Sequence, residues 1–260
     1  MRGIPGIVSD LGDSVRAAAA FLTRLPVGAP TAPAGGFLAQ ATAAFPIVGA
    51  CLGAAGGLAY AIAYGFGLPP LACALVALSV LAALTGALHE DGLADLCDGI
   101  GGGRDRHDRL RIMRDSHNGT FGTLALVLSV GLRASLVAAV ASPAGVFPSM
   151  IASGAVSRGV LPPVMGLLSP ARTSGLGAAA GTPGRARILA ALGLGAVIGW
   201  TCLGFGGALL ALAAAGVATA TVGLVARRTL GGYTGDVLGA CQQGAEIAVL
   251  AVAASLAARL

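Results

Sequence analysis

Apolar runs of about twenty residues recur along this chain, and no other feature limits its fold so severely. A soluble domain cannot hide that many, whereas a hydrocarbon layer about 30 Å thick accepts each one as a helix of about 20 residues. The runs lie at about 41–64, 70–88, 120–141, 145–168, 187–205, 208–226 and 237–257. The expected fold is therefore all-α, a polytopic transmembrane helix bundle of about seven spans, with residues 1–260 forming a single integral-membrane domain. Hydrophobic residues make up 56% of the chain and charged ones only 10%, which excludes an ordinary soluble enzyme.

The N-terminal stretch, "MRGIPGIVSDLGDSVRAAAAFLTRLPVG", is interrupted by Asp10 and Asp13 and does not read as a signal peptide. At helical spacing Ile7, Leu11, Val15, Ala18 and Leu22 share one face, with Asp10, Asp13, Arg16 and Arg24 away from it. Residues 1–27 are thus expected to form an interfacial amphipathic helix on the lipid bilayer. The five cysteines (Cys51, Cys73, Cys97, Cys202 and Cys241) have no CxxC spacing, so neither zinc nor a disulfide framework is expected.

The charge balance is +5, and all 16 basic residues are arginines. With the N-terminus in the cytoplasm, thirteen of them sort to one side: Arg2, Arg16 and Arg24, the group Arg104 to Arg114, Arg172, Arg185, Arg187, Arg227 and Arg228. That split follows the positive-inside rule and makes nucleic acid an unnecessary partner. It puts residues 89–119 in a cytoplasmic loop that would carry the catalysis. Gly49, Gly53 and Gly57 are spaced by four, as are Gly195 and Gly199, which suits close helix packing.

At the end of the second run comes "HEDGLADLCDG" (89–99), with four carboxylates within nine residues. Asp91, Asp95 and Asp98 are spaced i, i+4, i+7, so a helix stacks them on one face, where they repel one another. No arginine lies within a turn on that face. A hard divalent cation with oxygen ligands would offset the repulsion, and Mg²⁺ usually takes one or two carboxylates plus substrate phosphates. Glu90 points about a quarter-turn away, toward a second ion or an arginine. The following "GIGGGR" (99–104), including Gly101 and Gly102, reads as an amide-rich turn able to approach phosphate. In "DRHDRLRIMRD" (105–115), Asp105/Arg109 and Arg111/Asp115 read as surface ion pairs, with Leu110 and Met113 toward the membrane.

Three charges fall inside spans, Arg133, Arg158 and Glu246, each costing on the order of 2.5–3.5 kcal/mol at the centre of a bilayer. Arg158 and Glu246 sit at similar depth and are expected to pair. Asp236, Gln243 and Glu246 form a polar stripe on the last span, where a structural pair and a substrate contact are both open.

The block "TGALHEDGLADLCDGIGGG" (85–103) resembles the signature of the adenosylcobinamide-GDP ribazoletransferase family, also called cobalamin-5'-phosphate synthase. "FLTRLPV" (21–27), "FPIVGACLG" (45–53), "RDSHNGTFGTLALVL" (114–128) and "TGDVLGACQQGAEIAVL" (234–250) agree, in the family's order. The resemblance implies a Mg²⁺-dependent enzyme at the bacterial inner membrane with its active site facing the cytoplasm. Its substrates would be adenosylcobinamide-GDP and α-ribazole or its 5'-phosphate, with GMP released. On that reading Asp91, Asp95 and Asp98 hold Mg²⁺, with Glu90 and Asp115 as additions. Arg104 and Arg114 neutralise charge on the GMP side, and Asp98, His89 or His117 takes the hydroxyl proton. Gly101, Gly102, Arg158, Asp236, Gln243 and Glu246 remain candidate substrate contacts. A CDP-alcohol phosphotransferase would show a second acidic continuation that 99–119 lacks. A transporter would keep its functional charges near the midplane.

Overall fold

A computed structural model describes residues 4–28, 37–115, 117–173 and 180–259. Helices dominate the described residues: α1 (Ile4–Leu22), α2 (Phe37–Ala41), a 3₁₀ turn (Thr42–Ala44), α3 (Phe45–Gly65), α4 (Pro70–Thr85), α5 (Leu88–Gly102), α6 (Arg106–Ile112) and α7 (Thr120–Val140). They continue as α8 (Pro143–Gly159), α9 (Leu161–Leu167), α10 (Arg185–Leu230) and α11 (Gly235–Ala257). Among the described residues the only strand-like feature is an isolated bridge between Pro170 and Tyr233. The fold is an all-α membrane bundle.

Among the described residues five helices are long and apolar enough to cross a membrane, and six such segments result if the bent pair α4–α5 is counted as one. The seven-span expectation is reached only by dividing α10. Its 46 residues would extend about 69 Å at ~1.5 Å per residue, more than twice the hydrocarbon thickness. Gly204, at φ 71° and ψ 169°, breaks it into two helical pieces. That backbone setting is open to glycine alone at little cost.

Burial sorts the helices. Within the apolar windows, 78% of α8 and 72% of α11 is buried, against 28% of α7 and of α10. The first two form the axis of the bundle; α7 and α10 turn Leu124, Val127, Leu128, Trp200 and Phe205 outward, where lipid replaces protein. α3 meets α8 backbone to backbone, since a Cβ on Gly49 would overlap the carbonyl of Gly154 and one on Gly53 that of Met150. The expected small-residue seam is present. The second seam is looser, a Cβ on Gly195 lying 3.6 Å from the Ala155 carbonyl oxygen.

Between α4 and α5 the chain turns by 89°. Gly86 (φ 64°) and Ala87 (φ 56°) make the turn, and the alanine bears a left-handed setting that costs about 1–2 kcal/mol. α5 leaves the line of α4, and with 15 residues and four acids it is by itself too short and too charged to cross a membrane. The end of α1 braces this corner, with Arg24 N donating to Leu84 O at 2.8 Å. Ala17, Ala18 and Leu22 of α1 are buried in the protein core, so its apolar face meets protein as well as any lipid. Arg2 and the side chains of Ile7, Asp10 and Leu11 lie outside the described residues. All five cysteines are free.

Candidate active site

α5 crosses α11 where Gly92 faces Asp236: a Cβ on Gly92 would come within 2.9 Å of the Asp236 Cα. Gly239 answers from α11, 3.1 Å being left for a Cβ beside the His89 carbonyl oxygen. This close approach sets the acids flanking Gly92 beside the N-terminus of α11. Asp91 and Asp236 line a common cavity of about 260 Å³, and so do His89, Arg172 and Thr234. Asp95 lies next to the same group, its carboxyl raised to about 7 chiefly by burial and then by the negative charges of Asp236 and Asp91. His89 is held neutral, its imidazole lowered well below its ordinary value by burial and by the charges of Arg158 and Arg133.

The four acids of α5 divide into two pairs. Asp98 is buried and turned toward α7, accepting from the backbone N–H of Gly119 at 2.7 Å and of Gly122 at 2.9 Å. It therefore satisfies amides at the start of α7 that the helix itself leaves unpaired. Glu90 is turned into the bundle, where Arg133 Nη2 donates to it at 2.9 Å and Gln243 Nε2 at 3.2 Å. Those two carboxylates pin α5 along α7, and Asp91 and Asp95 are left for the cavity side. Along the helical face that Asp91, Asp95 and Asp98 share, Asp98 is thus engaged by α7, and of the two partners expected for Glu90, a second ion or an arginine, the arginine is present.

No arginine lies within a turn of these acids, as expected, and the one that attends the group, Arg172, comes from far along the chain. Its Nη1 lies 3.5 Å from Asp236 Oδ2, and Nη2 donates to the Leu110 carbonyl at 3.2 Å. Thr234 caps α11, accepting from Val237 N at 3.3 Å, and its hydroxyl donates to Asp236 at 3.1 Å.

A second polar cluster lies in the core. Glu246 accepts from Arg133 at 3.4 Å and sits 3.8 Å from Arg158, and Gln242 also donates to it. Ser129 donates to Gln243 at 2.8 Å, and Gln242 donates to Ser157 at 3.2 Å. Arg133, Arg158 and Glu246 are each 3% exposed. The expected Arg158–Glu246 pair exists, but Arg133 shares it and links it to Glu90.

The remaining expected residues stand apart from the cavity. α5 stays helical to Gly102, so only the end of "GIGGGR" is a turn, and the Phe121 ring lies beside an exposed Gly101. Arg104 and Arg114 are exposed and do not line the cavity. Asp115 and His117 pair with each other at 2.8 Å on the surface. The other surface pairs also differ: Asp108 takes Arg111 at 2.6 Å, and Asp105 caps α6 by accepting from Asp108 N at 2.9 Å. Arg106 and Arg109 reach the end of α10, donating to Leu230 O at 2.7 Å and Thr229 O at 3.3 Å. Met113 is buried, 3% exposed, rather than turned to lipid.

Comparison with known proteins agrees with the motif reading. A profile described as cobalamin-5-phosphate synthase matches residues 14–254. The chain belongs to the cobalamin-5-phosphate synthase family. A relative from Bradyrhizobium diazoefficiens, named adenosylcobinamide-GDP ribazoletransferase, is 45% identical over 252 residues, covering 97% of this chain and 95% of that one. Relatives of the same name from Rhizobium etli and Mesorhizobium japonicum are 41% and 42% identical, covering 95% and 93% of this chain and 98% and 92% of theirs. No solved structure matches. In this chain α5 and the α11 N-terminus carry two of the blocks on which the resemblance rests.

Among the described residues no three His, Cys, Asp or Glu side chains converge tightly enough to hold a metal ion by themselves. The donors present are carboxylate oxygens, which suit Mg²⁺, and such an ion takes only one or two of them beside substrate phosphates.

Proposed function

We propose that this protein is an adenosylcobinamide-GDP ribazoletransferase, the activity its relatives are named for. The observation that carries the reading is the juxtaposition of Asp91 and Asp236 at one cavity, with Asp95 beside them, on blocks that match the family. In the reaction a ribose hydroxyl oxygen of α-ribazole, or of its 5'-phosphate, attacks the cobinamide-linked phosphorus. A new P–O bond forms, the pyrophosphate P–O bond breaks, GMP leaves, and the hydroxyl proton passes to a base.

Phosphoryl transfer of this kind rests on positioning and charge neutralisation. Asp91 and Asp95 are the residues that would hold Mg²⁺, with Asp236 adjoining them. When bound, the ion neutralises charge on the pyrophosphate oxygens. Asp236, kept in place by Arg172 and Thr234, is oriented to accept the hydroxyl proton, and His89 adjoins the same cavity. Sorting of the arginines supports an inner-membrane protein whose cavity opens to the cytoplasm, the side on which a GDP-activated substrate is made available.

Purified protein incubated with Mg²⁺, adenosylcobinamide-GDP and α-ribazole should release GMP, and chelation should stop it. Absence of GMP with both α-ribazole and its 5'-phosphate would refute the activity. GMP release undiminished by chelation would refute the metal.

A further inference from the structure

We infer that Arg106 is a positioning residue for Asp236, acting from α6 through the two chain segments that hold that carboxylate. This rests on the proposed function, in which Asp236 faces the reacting groups, and adds the device that keeps it there.

The two side chains that hold Asp236 come from different segments. Thr234 follows the corner between α10 and α11, and Arg172 lies in the stretch after α9. An isolated bridge joins the segments: Ala171 N donates to the Tyr233 carbonyl at 2.8 Å and Tyr233 N to that of Ser169 at 3.0 Å. Strand pairing with no sheet around it is marginal by itself.

Arg106 spans both segments with one side chain. Its Nε donates to the Leu230 carbonyl and its Nη2 to the Ala171 carbonyl, each at 2.7 Å. A planar guanidinium thus ties the end of α10 to the residue before Arg172, with two charge-assisted bonds in a fixed fork. The Leu230 carbonyl is one that α10 leaves unpaired at its C-terminus, where a cation is also favoured.

The corner leaves room for this group. Gly231, at φ 77°, takes a left-handed setting, and a Cβ built there would lie 3.2 Å from Arg106 Nε. A Cβ on Gly232 would overlap the Ser169 carbonyl. The same short helix holds the far end of Arg172, since the Leu110 carbonyl, about one turn beyond Arg106, accepts from its Nη2 at 3.2 Å. Backbone and tip of Arg172 are both fixed by α6. Arg106 itself does not line the cavity, so its loss should act on turnover and not on binding.

Arg106→Ala should lower kcat for GMP release about tenfold or more, the scale on which a small misplacement acts. KM for adenosylcobinamide-GDP and for α-ribazole should each stay within about twofold. Arg106→Lys keeps the charge without the fork and should lose nearly as much. Guanidinium chloride below denaturing concentration should restore part of the Arg106→Ala rate, and sodium chloride at the same concentration should not. Arg111→Ala removes an equal charge from a surface pair with Asp108 and should leave kcat unchanged. In Arg106→Ala, confirmed folded by thermal unfolding, hydrogen exchange should quicken at the Ala171 and Tyr233 amides.

An unchanged kcat overturns the inference, and so does a loss that appears in KM alone. An equal loss in Arg111→Ala overturns it too, since charge and not geometry would then be at work. Should Arg106→Ala fail to fold, Arg106→Lys decides by the same measurements. If the unaltered protein releases no GMP, the proposed activity fails, and exchange at the two amides still decides whether Arg106 holds the segments.

Discussion

The cavity acids and the core ion cluster use the same side chains in opposite ways. In the core, two arginines and two glutamates balance, with Gln242, Gln243, Ser129 and Ser157 adding hydrogen bonds. At the cavity, Asp91, Asp95 and Asp236 crowd together against Arg172 alone. A balanced, buried cluster holds one arrangement, because each charge is costly without its partner. A crowded, half-open one keeps unspent negative charge for something that arrives with the substrate. α5 belongs to both regions: Glu90 fixes it to the first, and Asp91, the next residue, serves the second.

Breaking the core side should cost most. Glu246→Leu strands Arg158 and leaves Arg133 with Glu90 alone, and loss of one partner from a buried pair costs about 3–5 kcal/mol. Thermal unfolding in detergent should show a large drop, and the Arg158→Leu/Glu246→Leu double variant should recover only part of it, because Arg133 still lacks one acid. Full recovery in the double variant would mean that Arg133 does not share Glu246.

Asp95→Asn should do the reverse, with activity falling about 100-fold or more, the upper range for disturbing a metal-supporting shell, and stability holding or rising as repulsion is relieved. A fall in stability equal to that of Glu246→Leu would erase the distinction between the two regions.

Asp98→Ala sharpens the division within α5. Loss of a helix-start acceptor costs about 0.5–2 kcal/mol, so a modest stability loss should come with much less loss of turnover than Asp95→Asn. Equal turnover losses at saturating Mg²⁺ would return Asp98 to the metal site. Asp105→Asn, which preserves a capping oxygen on α6, should change neither measurement.

What the sequence made legible follows local rules. The i, i+4 relation of Asp91 and Asp95, the membrane runs and the Gly49–Gly53–Gly57 seam all depend on periodicity along one helix. The structure's other decisions depend on partners far away in the chain. Nothing near Asp98 announces that it will hold amides 21 and 24 residues later. Arg172 looked like one more loop arginine, and only the fold of 168–173 against α11 brings it to Asp236. Gly204 breaks α10 whereas Gly206 and Gly207 beside it remain helical, a difference set by tertiary packing that local pattern does not encode.

The core cluster also imposes an order on biosynthesis. A chain enters the bilayer from its N-terminus, so Arg133 finds Glu90 already made, 43 residues earlier. Arg158 has no such provision: its acid, Glu246, follows 88 residues later. At about 5–20 residues per second the guanidinium waits roughly 4–18 s for its counter-charge while α8 is already committed to the centre of the bundle. A nascent chain arrested before α11 therefore carries Arg158 in its most enclosed helix without its nearest acid.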